Sequence, residues 1–174
     1  YLHCVNGEET LNIEENLLSV IRFIGGQPNR TKKKDISDDK FCFLDRYEYD
    51  EDRNLLKMLF KSARHSYRAP LINRNTVESR ENPKTREEGE QVKTHLLVKF
   101  TNGDAIVFLE TGKSILTLKI ICEYLNTFVS VYNNNHRREH INGTFDFDII
   151  PRDDFREVLD NMRRVVFAEV YIDK

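Results

Sequence analysis

The sequence predicts an α+β fold, a mostly antiparallel or mixed sheet with helices packed on one face. Three observations carry that prediction. An Asn102-Gly103 pair joins two apolar runs, Thr94 to Phe100 and Ala105 to Glu110, and supplies the positive backbone dihedrals that a tight hairpin requires. Two stretches repeat apolar residues at helical spacing, and several others alternate at strand spacing. The strands and helices do not follow the strand-helix-strand rhythm of a parallel sheet.

The first helix opens at Asn12-Ile13-Glu14-Glu15, the cap-then-acid spacing of a capping box, and continues through Leu17, Leu18, Ile21 and Ile24 to a stop at Gly25-Gly26. Residues 27–40 hold a proline, a lysine triplet and paired aspartates, and are expected to form a mobile polar loop. Phe41 to Tyr49 reads as a strand in which Phe41, Phe43, Tyr47 and Tyr49 share one face and Asp45 breaks the row. Leu55 to Ala63 fits a helix or a strand; its position between turns favours the strand. Residues 66–92 carry two prolines, several asparagines and many charges, and read as a second long polar loop.

After the hairpin, Ser114 is the expected cap of a helix whose buried face holds Ile121, Tyr124 or Leu125, Phe128 and Tyr132, ending at Asn133-Asn134-Asn135. Thr144 to Ile150 alternates as a strand until Pro151. A short helix from Asp153 or Asp154 and a strand over Val165 to Ile172 are expected to follow. One domain spanning residues 1–174 accounts for all of these elements. The chain opens at Tyr1 without a methionine and ends on an apolar pattern, which suggests a piece of a longer protein.

Composition narrows the class of function. The 174 residues are 39% hydrophobic and 32% charged, too apolar for a disordered tail and too charged for a membrane protein. No run approaches the ~18 uninterrupted apolar residues of a spanning helix, so no membrane is expected. Cys4, Cys42 and Cys122 stand far apart in apolar settings, which suits buried thiols and a cytoplasmic location better than a disulfide framework. A net charge of −2 excludes a uniformly basic nucleic-acid glove and leaves local patches to be judged one by one.

Several motifs imitate chemistry. Thr111-Gly112-Lys113-Ser114 resembles a phosphate loop, but the first glycine of that loop is replaced by Val107 within a strand, so a strand-to-helix turn explains the same letters and no cofactor is expected. Asp104, Glu110 and Lys113 imitate the two carboxylates and lysine of a metal-dependent nuclease. Two residues separate Glu110 from Lys113 where the restriction-type pattern has one, which turns the lysine elsewhere on a strand. His136 and His140 have helical ligand spacing without matching partners elsewhere, and His65 and His95 stand singly, so no metal is expected. No nucleophile-and-base constellation can be assembled from the sequence, so the leading expectation is a non-enzymatic domain, with a metal-dependent nuclease using Asp104, Glu110 and Lys113 as the alternative.

The basic patches remain. Lys32, Lys33 and Lys34 form one; Lys57, Lys61, Arg64, His65 and Arg68 form a second; Arg137 and Arg138, with Arg163 and Arg164, form a third. Lysine and arginine on loops attract phosphates through counterion release, and Tyr67 adds a stacking surface. Solvated charge is the plainer explanation, since acids at Asp50 to Asp52 and Glu87-Glu88 oppose the patches.

The segments Lys93 to Phe100, Ala105 to Glu110 and Lys119 to Asn126, together with Phe155 to Leu159 and Met162 to Val165, resemble bacterial and phage proteins of the Rex A phage-exclusion type and their abortive-infection relatives. The resemblance covers about half the chain and rests on hydrophobic pattern. It implies a defence or prophage-associated domain whose relatives contact DNA, with no catalytic motif to carry over; apart from the resemblance, an interaction module binding a protein partner or a second copy of the chain explains the same sequence.

Overall fold

A computed structural model of the chain describes residues 1–7, 9–66, 68–101, 104–136 and 140–149. In chain order they form β1 (Leu2–Asn6), β2 (Glu9–Thr10), α1 (Ile13–Gly26), α2 (Asn29–Lys32), β3 (Lys34–Ser37), β4 (Lys40–Asp50), β5 (Leu55–Arg64), β6 (Leu71–Ile72), β7 (Ser79–Arg80), β8 (Glu90–Thr101), β9 (Asp104–Leu109), α3 (Leu118–Asn135) and β10 (Thr144–Phe147). The expected α+β class is what the chain adopts. A curled antiparallel sheet runs in the order β10-β1-β9-β8-β5-β4-β3, with β2 attached to β1, and β6 and β7 make a separate small hairpin.

The long strands follow from their residues. β8 alternates strictly: Thr94, Leu96, Val98 and Phe100 are buried, while Lys93, His95 and Leu97 are exposed. It pairs with β9 from Leu96↔Leu109 to Thr101↔Asp104, as the Asn-Gly signal predicts. The ambiguous segment from Leu55 is a strand, paired along its length with β4 on one side and β8 on the other. Leu56, Met58, Phe60 and Ser62 face the core.

β4 departs from the expected face. Leu44 pairs with Phe60 and Arg46 with Leu59, so Asp45 is an extra residue, a β-bulge that reverses the alternation. Before it the core takes Cys42 and Leu44; after it Tyr47 and Tyr49 pack against the core. Phe41 and Phe43 therefore do not share a face with the two tyrosines.

Helices α1 and α3 lie on the same face. Asn12 caps α1 as predicted, its side chain accepting from the Glu15 amide at 3.1 Å. α1 ends at Gly26, where the glycine pair is expected to stop it; a Cβ at Gly25 would clash with the Tyr47 ring, so the glycine also lets the helix close onto β4. In α3, Ile121, Tyr124, Leu125, Phe128 and Tyr132 form the buried face. Its cap is Thr117, not Ser114: Leu116 is buried and its amide donates to the Thr94 hydroxyl at 3.0 Å, which delays the helix until the chain has crossed the sheet.

Two asparagines one heptad apart on α3 act as a backbone brace. Asn126 exchanges two hydrogen bonds with Phe145 (2.9 and 2.6 Å), and Asn133 two with Ile141 (2.9 and 2.8 Å), fastening the segment that leads into β10. Residues 27–40 and 66–92 are not simply loops: the first contains α2 and β3, the second β6, β7 and the start of β8. The expected helix near Asp153 and strand over Val165 to Ile172 lie outside the described residues. No described helix is long and apolar enough to cross a membrane.

Tyr124 is fully buried, and its hydroxyl donates to the Lys32 carbonyl at 2.9 Å and accepts from the Leu44 amide at 3.1 Å. Tyr124→Phe leaves both backbone groups without a partner, and we expect it to destabilise the fold by about 2–3 kcal/mol. Urea unfolding measures this; a loss within error of zero would mean that the hydroxyl does not join α3 to β4.

Candidate functional site

Antiparallel register collects charge at one end of the sheet. Lys40, Arg64 and Glu90 stand side by side on β4, β5 and β8, and Cys42, Ser62 and Val92 form the next row inward. Lys34 lies opposite Cys42 on β3. The connection from β9 to α3 closes over this end: the Lys40 ammonium donates to the Ser114 carbonyl at 3.3 Å, and that of Lys34 donates to the Glu123 carbonyl at 2.7 Å. Ser114 holds φ at +65°, the left-handed region, which costs a non-glycine residue on the order of 1 kcal/mol.

Single members of the first two basic patches thus reach the same end of the sheet, although some thirty residues of sequence separate them, Lys34 and Arg64 on the face under the α3 connection and Lys33 and His65 on the other. Lys33 pairs with Asp35 at 2.8 Å and lies 5.8 Å from the centre of the Phe41 ring, which in turn stands 6.1 Å from the His65 ring. Arg64 meets Asp39 at 3.1 Å. The Asp39 carboxyl is held below its ordinary range first by the Ser37 hydroxyl and then by Arg64. Lys34 and Lys40 meet backbone carbonyls and, among the described residues, no carboxylate. Both flank the buried Cys42 thiol, whose pKa burial pushes up to about 12, so that sulfur is an unreactive wall.

Other expected phosphate-binding residues lie elsewhere. Lys32 is only 6% exposed, because its residue anchors the Tyr124 hydroxyl, so it does not join a phosphate-facing loop. Lys61 projects from the opposite, open face of the sheet, where it pairs with the bulged Asp45 at 2.8 Å. The strand period divides the Lys61 to Arg68 string: four positions on from Arg64, Arg68 has left β5 and binds the Lys84 carbonyl at 3.1 Å. Arg137 and Arg138 lie outside the described residues, as does Tyr67. Sequence reasoning missed Lys40 and Ser62, and only their register with Arg64 reveals them.

The open face carries Lys57, Lys61, Lys93 and Lys99 around the apolar Leu97 and Phe108, the last 59% exposed. Lys61 lies directly across from Lys93, an unfavourable like-charge pair that Asp45 offsets on one side.

The nuclease lookalike comes apart. β9 is extended, so positions 104 and 110 lie ~20 Å apart along the strand, too far to share one cation. The Glu110 carboxylate is instead taken by His95, accepting from its amide at 3.1 Å and standing 2.7 Å from Nδ1. His136 stacks on Tyr132 with ring centres 4.2 Å apart at the end of α3, and among the described residues no three His, Cys, Asp or Glu side chains gather as metal ligands. Val107 sits in β9 paired with Val98, so the chain before Gly112 does not curl as a phosphate loop does.

No family model matches this chain, and neither a curated protein nor a solved structure matches it.

The His95 hydrogen bonds lower the Glu110 pKa. A depressed carboxyl stabilises the fold above its unfolded pKa, ~4.3, and that contribution disappears as pH falls through the folded value. The stability difference between wild type and Glu110→Gln, read from urea midpoints, should therefore shrink between pH 7 and pH 3. A difference that does not change with pH would show that the pair does not form in solution.

Proposed function

We propose that this chain is a non-enzymatic domain of the prokaryotic or phage defence type that contacts the phosphate backbone of duplex DNA through the basic end of its sheet. The observation that carries the reading is that Lys34 and Arg64, from two separate basic segments, lie with Lys40 on one face at this end of the sheet, beside the loop that bears Lys113, while Lys33 flanks the same end from the other face. Arg68 stands at the base of the adjoining arm. Backbone contact needs cations at spaced positions and no base-reading helix, and these side chains lie on strands and connections. The resemblance to phage-exclusion proteins supports the setting, and the scattering of Asp104, Glu110 and Lys113 weighs against cleavage.

A mobility shift on duplex DNA should appear at low salt and fade steeply as salt rises. Replacing Lys33, Lys34 and Arg68 together by alanine should flatten the slope of log K against log salt by ~0.9 for each phosphate no longer neutralised. The DNA should stay intact in magnesium or manganese. Absence of a shift at low salt, or an unchanged slope in the triple variant, would overturn the reading; cleavage abolished by Glu110→Ala would overturn its non-enzymatic part.

A second reading, contact with protein and in particular with another copy of this chain, is favoured by the arm between β5 and β8. Its small hairpin leaves Ile72 68% and Val77 76% exposed, and Val77, a β-branched residue, is held at φ +59°. Sedimentation of wild type should then show self-association that the double substitution Ile72→Asp, Val77→Asp abolishes. A wild-type monomer at high concentration would exclude the second copy.

A further inference from the structure

Between the sheet end and the connection into α3 lies a cleft of about 320 Å³ lined by Lys40, Ser62, Arg64, Glu90, Val92 and Ser114. Its floor is the row Ser62–Val92 on β5 and β8, its wall is Ser114, and its rim is the charged row Lys40–Arg64–Glu90. We propose that this cleft is a binding site for a phosphate monoester, a ligand class distinct from the internal phosphodiesters of a duplex. The inference does not depend on the duplex-DNA reading.

Ser62 carries the argument. The residue is 1% exposed, and its Oγ is buried without a hydrogen-bond partner. A hydroxyl in that condition is unfavourable unless something else supplies the missing bond, and native folds seldom retain one without use. Its neighbours on the cleft suit an anion. Lys40 meets no carboxylate among the described residues, and its ammonium donates to the Ser114 carbonyl. Arg64 is anchored through Nε by Asp39, which fixes the plane of a guanidinium that matches phosphate oxygens in pairs.

Glu90 does not oppose the anion as a bare charge. Both of its oxygens accept from the Lys84 ammonium, at 3.0 and 3.2 Å, and its carboxyl is lowered in consequence. Arg64 with Asp39 and Lys84 with Glu90 therefore cancel as pairs, and Lys40 leaves one uncompensated positive charge at the mouth. The rim geometry depends on Gly89, where a Cβ would fall 2.3 Å from the Arg64 carbonyl. A volume near the lower end of ligand cavities excludes a base pair and admits one phosphorylated group, whether on a free nucleotide or at the end of a strand.

The test uses the whole chain and three probes: inorganic phosphate, adenosine 5′-monophosphate and adenosine, followed by amide chemical shifts. Phosphate and the monophosphate should move the resonances of Ser62, Lys40 and Ser114, and adenosine should not. Ser62→Ala should weaken the monophosphate about tenfold, the value of one hydrogen bond to a charged group, while its melting temperature stays equal to or above that of wild type. That combination separates a missing hydrogen bond to the ligand from a damaged fold. Lys40→Met should weaken binding by a similar factor.

Oligonucleotides with and without a 5′-phosphate assign the source: preference for the phosphorylated end supports a strand terminus, and equal binding beside a bound monophosphate supports a free small molecule. Unmoved resonances with both phosphate and the monophosphate, or wild-type affinity in Ser62→Ala, would overturn the site. A salt-dependent duplex shift could persist in that case, so the two readings fail separately.

Discussion

The Tyr124 hydroxyl ties α2, β4 and α3 together at one buried point. Buried from water, it bridges the Lys32 carbonyl at the end of α2 and the Leu44 amide of β4, while its ring meets Phe60 edge-on at 5.5 Å. Leu44 is the residue just before the bulge, where the sheet ladder is interrupted, so a side chain from α3 supplies a partner at the weak point of β4. The bulge then turns Tyr47 and Tyr49 inward beneath α1, and turns Asp45 outward to Lys61. The hydroxyl thus ties the helix layer to the sheet beside the bulge that sets which side of β4 meets solvent.

The basic end depends on that arrangement. α2 ends where Tyr124 binds it, and β3 begins two residues later with Lys34, which reaches back to the Glu123 carbonyl beside Tyr124. The same hairpin delivers Lys40 into line with Arg64, and the late start of α3 at Leu118 leaves the stretch containing Ser114 free to close over them. The charge cluster is therefore a by-product of core packing at one sheet end, and its residues are held by strands rather than carried on a polar loop.

The lookalikes in the sequence fail for geometric reasons. A phosphate loop needs chain free to wrap an anion, and Val107 is committed to Val98. A shared cation needs carboxylates at one point, and β9 draws positions 104 and 110 apart. Lys57 and Lys61 share a parity that sends them to the open face, away from Arg64. In each case spacing that looks compact in the sequence is stretched or divided by extended backbone.

Local features were legible in the residues themselves. Asn12 and Glu15 marked the start of α1, the Asn-Gly pair predicted the β8–β9 hairpin, and the periodicity from Ile121 to Tyr132 identified the buried face of α3, because caps, turns and amphipathic faces are written within a few residues. Long-range packing set the rest. It placed β1, a short run with only Leu2 and Cys4 to announce it, between β9 and β10; it moved the α3 cap from Ser114 to Thr117; it reversed the faces of β4 at Asp45. It also brought Lys34, Lys40, Ser62 and Arg64 together. Strand partners and register arise from contacts between residues far apart in the chain, and no local pattern records which distant strand will supply the neighbouring side chain.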